Sequence, residues 1–412
     1  MSGIKRIKKN KVWILIPIIY LIIVALLTGL GRGYLSTLDH PFSSDLFERI
    51  FLIFMAELGV IGIIQVLIVL GTPLSSKYDE KGLTDIKFVD KMGSPPVLVS
   101  KTKNNNGWIY EFYSPRIPLY EYETRRKDID NALDIRIISI DQGKDMQHIK
   151  VKAISSGGST PETINWKEEY LDNRDFILNL GKSFDGDVSV DLNLMPHMLI
   201  GGGTGSGKTI LLKLILAQCI KKEAIVYIAD FKGGVDFPQI WHEKCTIITD
   251  KNEFAERIVK IRKILSERQR IFHDAGARDI MQYNLKTKSG MKRIIIACDE
   301  VGELFNKSTL SKEEKIQVDR IEGTIESLAS LGRAFGINLI LSTQRPSVDV
   351  IDGKIKTNLS YRICGRAEST LSKIILDDTE ASKVIHQSDI GMFFTNTKEL
   401  FKAYYFNDSW LQ

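Results

Sequence analysis

Residues 202–209 read Gly202-Gly203-Thr204-Gly205-Ser206-Gly207-Lys208-Thr209, a complete G-x-x-x-x-G-K-[ST] spacing. Glycines at such intervals let successive backbone N–H groups turn inward around an anion, and a phosphate fits that cradle. Lys208 can reach the β- and γ-phosphates of a nucleotide, and the Thr209 hydroxyl can ligate Mg2+. A glycine-rich turn matching by chance is the competing reading, and the flanks argue against it. Met198-Leu199-Ile200 ahead of the loop is apolar enough for a buried strand, and residues 209–219 behind it keep helical spacing. The loop therefore opens a helix, whose N-terminus attracts phosphate. The pattern predicts binding of ATP.

A phosphate loop needs a second half to do chemistry. Ile294-Ile295-Ile296-Ala297-Cys298 reads as a buried strand ending in Asp299-Glu300. Asp299 at that strand end can hold Mg2+, and Glu300 can polarise an attacking water. Residues 337–343 form another apolar strand, closing on Gln344. An amide there can donate to the γ-phosphate and accept from water; a plain turn residue is the alternative.

The elements that must position these groups follow from composition and periodicity. The chain has 412 residues and a mild net charge of +5, which does not by itself imply nucleic acid. Cys219, Cys245, Cys298 and Cys364 are scattered without a C-x-x-C pair, and the six histidines show no ligand spacing. Reduced thiols fit better than a metal centre or a disulfide framework. Residues 12–30 are uncharged, and residues 50–70 carry only Glu57; both approach the roughly 20 residues a membrane-spanning helix needs. Lys5, Arg6, Lys8, Lys9 and Lys11 precede the first run, while only Arg32 and Arg49 lie between the runs. The positive-inside rule then predicts a two-pass cell-membrane protein with both termini cytoplasmic. Glu57 is either a helix–helix contact within the membrane or an interfacial acid that reaches water.

Residues 1–71 thus read as a membrane anchor and 72–165 as a small α+β module. In that module 108–113 and 119–122 look like short strands, 125–133 a helix, and 135–140 with 148–154 a strand pair. Residues 155–161, Ser-Ser-Gly-Gly-Ser-Thr-Pro, have linker composition. Residues 166–412 alternate strand and helix patterns, as a parallel-sheet nucleotide-binding domain does. Within them, 257–270 carries six basic residues against Glu267, with Ile258, Ile261, Ile264 and Leu265 at helical spacing. This is either a helix that tracks phosphates or the solvated face of a packed one.

Several motifs in a fixed order resemble the FtsK/SpoIIIE family of DNA translocases. They are Leu180-Gly181-Lys182, Asp191-Leu192, Met195-Pro196-His197 leading into the loop, Asp230-Phe231-Lys232-Gly233-Gly234 and Gly332-Arg333-Ala334-Phe335-Gly336-Ile337. The most specific is Ser342-Thr343-Gln344-Arg345-Pro346-Ser347-Val348-Asp349-Val350-Ile351 followed by Ile355-Lys356-Thr357-Asn358, and Ile374-Ile375-Leu376-Asp377 and Asp389-Ile390-Gly391-Met392 continue it. The resemblance implies a RecA-like P-loop ATPase, a parallel sheet flanked by helices, assembled as a homo-hexameric ring with ATP between subunits and DNA in the channel. It gives Lys208, Thr209, Asp299, Glu300 and Gln344 the roles already argued, and places Asp230 and Lys232 near the site or a subunit contact. It also implies an arginine acting on the neighbour's nucleotide, with Arg333 the first candidate and Arg257, Arg262 and Arg366 the others.

Two departures shape the functional expectation. The chain ends at Gln412 with no room for the DNA-reading tail of chromosomal translocases, and it has two predicted spans rather than about four. It is most similar in these respects to the coupling proteins of Gram-positive conjugative elements. The expected function is ATP-driven movement of DNA, single-stranded and relaxase-bound, toward conjugation channel proteins in the membrane. A chromosome-partitioning motor, a type VII-like protein secretion ATPase and a nucleotide-gated scaffold are the alternatives.

Overall fold

The computed structural model describes residues 15–35, 44–71, 74–104, 107–155, 163–308, 310–344 and 353–412. The basic cluster at 5–11, the linker at 156–161 and the motif residues 345–351 lie outside them, as do residues 12–14 of the first apolar run. The chain packs as two compact units.

The first unit takes Met1–Lys101, Ile109–Ile135 and Ile140–Val151. It contains helices Leu15–Leu35 and Ser44–Gly71, tied where the Tyr20 hydroxyl donates to Leu58 O at 2.9 Å. Among the described residues no helix is long and apolar enough to cross a membrane. Much of both apolar runs falls outside that set, because the side chains of 15–18, 44–48 and 63–71 are not described. Among those that are, Ile22, Leu26, Leu30, Ile53, Phe54 and Ile61 are about half exposed or more and Glu57 is also exposed, whereas Met55 is buried. The module beyond has a four-stranded sheet in the order β1 (Val97–Asn104), β2 (Gly107–Tyr113), β4 (His148–Ser155), β3 (Ile135–Gln142). The expected strand at 119–122 is instead a helix, Leu119–Thr124. Pro118 caps its start in an extended conformation, and one face is anchored by Tyr122, packed edge-on against Phe88 at 4.8 Å. A short apolar run fits either period, and here packing decided.

The second unit takes Thr102–Trp108, Arg136–Ser139 and Lys152–Gln412, built on one ten-stranded sheet. Its strands are β5 (Ile177–Ser183), β6 (Asp187–Asp191), β7 (Met198–Gly201), β8 (Ile225–Ala229), β9 (Thr246–Ile248), β10 (Ile294–Cys298), β11 (Ile337–Thr343), β12 (Tyr361–Cys364), β13 (Met392–Thr395) and β14 (Leu400–Ala403). The order is β6-β5-β14-β13-β12-β7-β11-β10-β8-β9. From β12 to β9 all neighbours are parallel, but β6, β5, β14 and β13 join antiparallel. The sheet is therefore mixed rather than parallel throughout. The reason is local: three residues link β5 to β6 and four link β13 to β14, and links that short join only antiparallel strands.

Alternation along the central strands builds two cores. Leu199, Ile294, Ile296, Leu339 and Leu341 face one, under helices Lys251–Asp274 and Lys312–Leu331. Met198, Ile200, Ile295, Ala297 and Ile340 face the other, under helix Lys208–Lys221. Burial on both faces explains why these strands read as unbroken apolar runs. All four cysteines are free, and burial pushes the Cys219, Cys245 and Cys364 thiols up to about 12, where they stay protonated.

Candidate active site

β7, β10 and β11 run side by side and in parallel, so the residues after their C-terminal ends meet on one edge of the sheet. After β7 comes the phosphate loop. Gly205 and Gly207 take φ of +74° and +94°, where a side chain would strain the backbone. Gly207 caps helix Lys208–Lys221 with no side-chain cap bond to the N–H groups of that first turn among the described residues. The Ser206 hydroxyl is buried without a hydrogen-bond partner among the described residues. Uncapped amides and an orphaned hydroxyl suit a phosphate, so the loop fits the nucleotide that its spacing predicts.

Lys208 is buried and points across the loop, donating from Nζ to Ser342 Oγ at 2.8 Å and to Asp299 O at 3.1 Å. Its Nζ lies 3.5 Å from Asp299 Oδ1. Asp299 Oδ2 is in turn 3.5 Å from Lys232 Nζ. Burial works against the charge on Lys232, but the carboxylates of Asp299, Glu300 and Asp236 outweigh it and raise its pKa. Asp299 thus sits between two ammonium groups, and Thr209 on the loop is half-buried. A carboxylate at this strand end and a hydroxyl on the phosphate loop are a donor set suited to Mg2+.

Glu300 is fixed by the tip of β11. Its Oε1 accepts from Thr343 Oγ1 at 2.8 Å and Gly302 N at 3.2 Å, and its Oε2 from Gln344 N at 3.0 Å. The Gln344 side chain bridges onward, its Oε1 accepting from Thr204 Oγ1 at 3.1 Å. Lys208 and Asp299 thus share one set of polar contacts with Ser342, and Glu300 and Gln344 a neighbouring network with Thr343 and Thr204 of the loop, all drawn from three strand ends. Spacing alone did not assign Ser342 and Thr343 a part in these contacts. The signal available was two hydroxyl residues closing a buried strand that is apolar apart from Asn338.

Asp230, after β8, is buried; its Oδ1 accepts from Lys232 N at 3.0 Å, and its Oδ2 has no partner among the described residues. The arginine candidates separate. Arg333 precedes β11 and donates to Asn193 O at 3.3 Å. It lies at the other end of that strand from Gln344, roughly 20 Å away by strand rise, so it cannot serve its own subunit's site. Arg257 lies over the Tyr227 ring at 5.1 Å, and Arg262 bonds Ser266 on its own helix. Arg366 instead donates to Thr204 O at 2.6 Å on its own phosphate loop.

The basic helix Lys251–Asp274 buries Phe254, Ile258, Ile261, Leu265 and Phe272 in the core. Arg268 is buried with them, donating to Phe335 O and to Lys292 O at 2.8 Å, and burial lowers its pKa to about 10. Lys260, Lys263 and Arg270 are exposed.

The FtsK/SpoIIIE family model matches residues 164–301. The chain is 28% identical over 358 residues to the DNA translocase FtsK of Chlorobaculum tepidum, covering 78% of this chain and 42% of that protein. It is 30% identical over 279 residues to the DNA translocase SpoIIIE of Bacillus subtilis, covering 63% of this chain and 34% of that one. The chain thus spans less than half the length of these curated relatives. The solved structure of the pCW3 conjugation coupling protein TcpA, a monomer form with ATPγS, is similar with a TM-score of 0.62 at 32% identity. That match covers 81% of this chain and 96% of the solved one.

Proposed function

Because this chain belongs to the FtsK/SpoIIIE family and carries its P-loop ATPase domain, we propose that it is a membrane-anchored, ATP-driven DNA translocase that acts as a coupling protein in conjugation. One observation carries the reading: the likeness to a conjugation coupling protein extends over 96% of that solved chain. The curated relatives, both DNA translocases, support DNA as the substrate.

The residues divide the work. The amides of Thr204, Gly205, Gly207 and Lys208 bind the phosphates, and Lys208 exchanges its side-chain bonds to Ser342 and Asp299 for β- and γ-phosphate oxygens. Thr209 and Asp299 are the residues that would hold Mg2+, which on binding neutralises phosphate charge. Glu300, with both carboxylate oxygens pinned, orients a water and takes its proton. Gln344, bonded to Thr204, reports nucleotide state from the loop to the segment beyond β11. An arginine on a neighbouring subunit completes the site, which makes a homo-hexameric ring the working form. The exposed apolar residues of helices Leu15–Leu35 and Ser44–Gly71 support an anchor in the cell membrane, with both termini cytoplasmic. The cargo is single-stranded, relaxase-bound DNA delivered to conjugation channel proteins.

The test is a mating assay beside ATP hydrolysis. Lys208→Ala is expected to abolish both while leaving the protein at normal abundance in membranes. Hydrolysis and transfer that survive it sink the proposal. A deletion that traps chromosomes at septa and leaves transfer intact assigns the motor to chromosome partitioning instead.

A further inference from the structure

The phosphate loop is clasped from outside by residues that follow β12 and precede β13. Gly365 N donates to Gly201 O at 2.8 Å, and Gly203 N donates to Arg366 O at 2.8 Å. The Arg366 guanidinium then turns back: Nη2 donates to Thr204 O at 2.6 Å, and Nη1 to Gln387 O at 2.7 Å. On the far side Gly391 N donates to Ser206 O at 2.9 Å. The fit there is close, since a Cβ on Gly207 would come within 3.2 Å of Gly391 Cα. The backbone at Gly203, Thr204 and Ser206 is thus tied to one strap.

We propose that Arg366 is a positioning residue that presets its own subunit's phosphate loop, and that it is not the arginine supplied to a neighbour. The inference rests on the reading that residues 202–209 bind ATP. An anion cradle needs its N–H groups turned inward, so the carbonyls between them must point away and find other donors. Arg366 is that donor for Thr204 O. Accepting from a cation also polarises the Thr204–Gly205 peptide, which makes the Gly205 N–H a better donor to phosphate. The second arm, on Gln387 O, fixes the guanidinium so that the Thr204 carbonyl cannot swing inward without breaking another bond. Both arms end on carbonyls of the same chain, which spends the fork geometry that binding a neighbour's γ-phosphate would require.

Two measurements on the full chain test this. The first is ATPγS affinity by titration. Arg366→Ala should weaken binding about tenfold, the worth of one charge-assisted bond at a half-exposed site. Arg366→Lys, which reaches one carbonyl but not both, should fall between. The melting temperature without nucleotide should stay within about 2 °C of the unsubstituted protein; a merely structural role would lower it and leave affinity alone. The second mixes Arg366→Ala subunits with Lys208→Ala subunits. An arginine acting in trans would restore complete sites, and ATPase activity would exceed the sum of the two variants measured separately. The expected result is no recovery. Unchanged affinity in Arg366→Ala, or recovery in the mixture, overturns the proposal. If the unsubstituted protein fails to bind ATPγS, the nucleotide reading itself falls.

Discussion

Replacing Glu300 with glutamine tests the catalytic geometry and its hydrogen bonding in one variant. The carboxylate accepts three bonds, from Thr343 Oγ1 and Gly302 N on Oε1 and from Gln344 N on Oε2. An amide presents one acceptor and one donor, so its NH2 must face a backbone N–H in either orientation. With its oxygen toward Gln344, the amine can still donate to the Thr343 hydroxyl, but the bond to Gly302 N is lost. One buried backbone donor left unpaired costs about 1–2 kcal/mol. In a nucleotide-binding domain of this size, that lowers the melting temperature by about 2–8 °C. Losing the carboxylate that takes the water's proton should cut kcat by about 10²- to 10⁴-fold. ATP affinity should stay within about threefold, because Lys208 and the loop amides are untouched. Phosphate release at saturating ATP with DNA, a nucleotide titration and a thermal melt read the three quantities. A kcat above a tenth of the unsubstituted value refutes Glu300 as the base. An unchanged melting temperature refutes the three-bond account.

Four further outcomes follow from the same geometry. Gln344→Ala should lower kcat more than ATP affinity, since its amide contacts Thr204 and not the phosphate-binding amides; kcat and KM from steady-state hydrolysis separate the two. Burial, reinforced by the charge of Arg333, pushes His197 down to about 4 from an ordinary 6.5. The unfolded chain therefore binds the extra proton first, and stability present above pH 6.5 is lost as pH falls toward 4. The loss is about 1.4 kcal/mol at pH 5.5 and about 3 kcal/mol at the limit, and His197→Gln should flatten that part of a urea-melt pH series. Arg268→Ala takes the donor from the backbone carbonyls of Phe335 and Lys292, while Gly336 O keeps its bond from Ile294 N. It should destabilise by about 2–4 kcal/mol in denaturant melts, with no change in the salt dependence of DNA binding by the folded protein. Alkaline carbonate washing of membranes should leave the full chain in the pellet, and its release would remove the anchor from the proposal.

The catalytic core was legible because its parts are local. The loop at 202–209 and the pair Asp299-Glu300 each follow a buried strand, and a strand end carries its residues to the sheet edge whatever else the fold does. Short segments of ambiguous period were not legible: 119–122 alternates well enough for a strand, yet Pro118 and the Tyr122 contact make it helical. Nor was the antiparallel half of the sheet. The apolar runs at β13 and β14 resemble those of the parallel strands, and only the four residues between them dictate reversal.

The sequence by itself determined that this chain has a phosphate-binding loop with a following acidic strand end, and which family order its motifs follow. Those are properties of residues adjacent along the backbone. Partnership was decided by the tertiary structure, because it depends on which strands lie side by side. The parallel pairing of β10 with β11 puts Thr343 and Gln344 onto Glu300, and that of β11 with β7 puts Ser342 onto Lys208. The same pairing of β12 with β7 brings Arg366, one of the four candidate arginines and not the one the sequence put first, onto Thr204 of its own loop, 162 residues away in the chain.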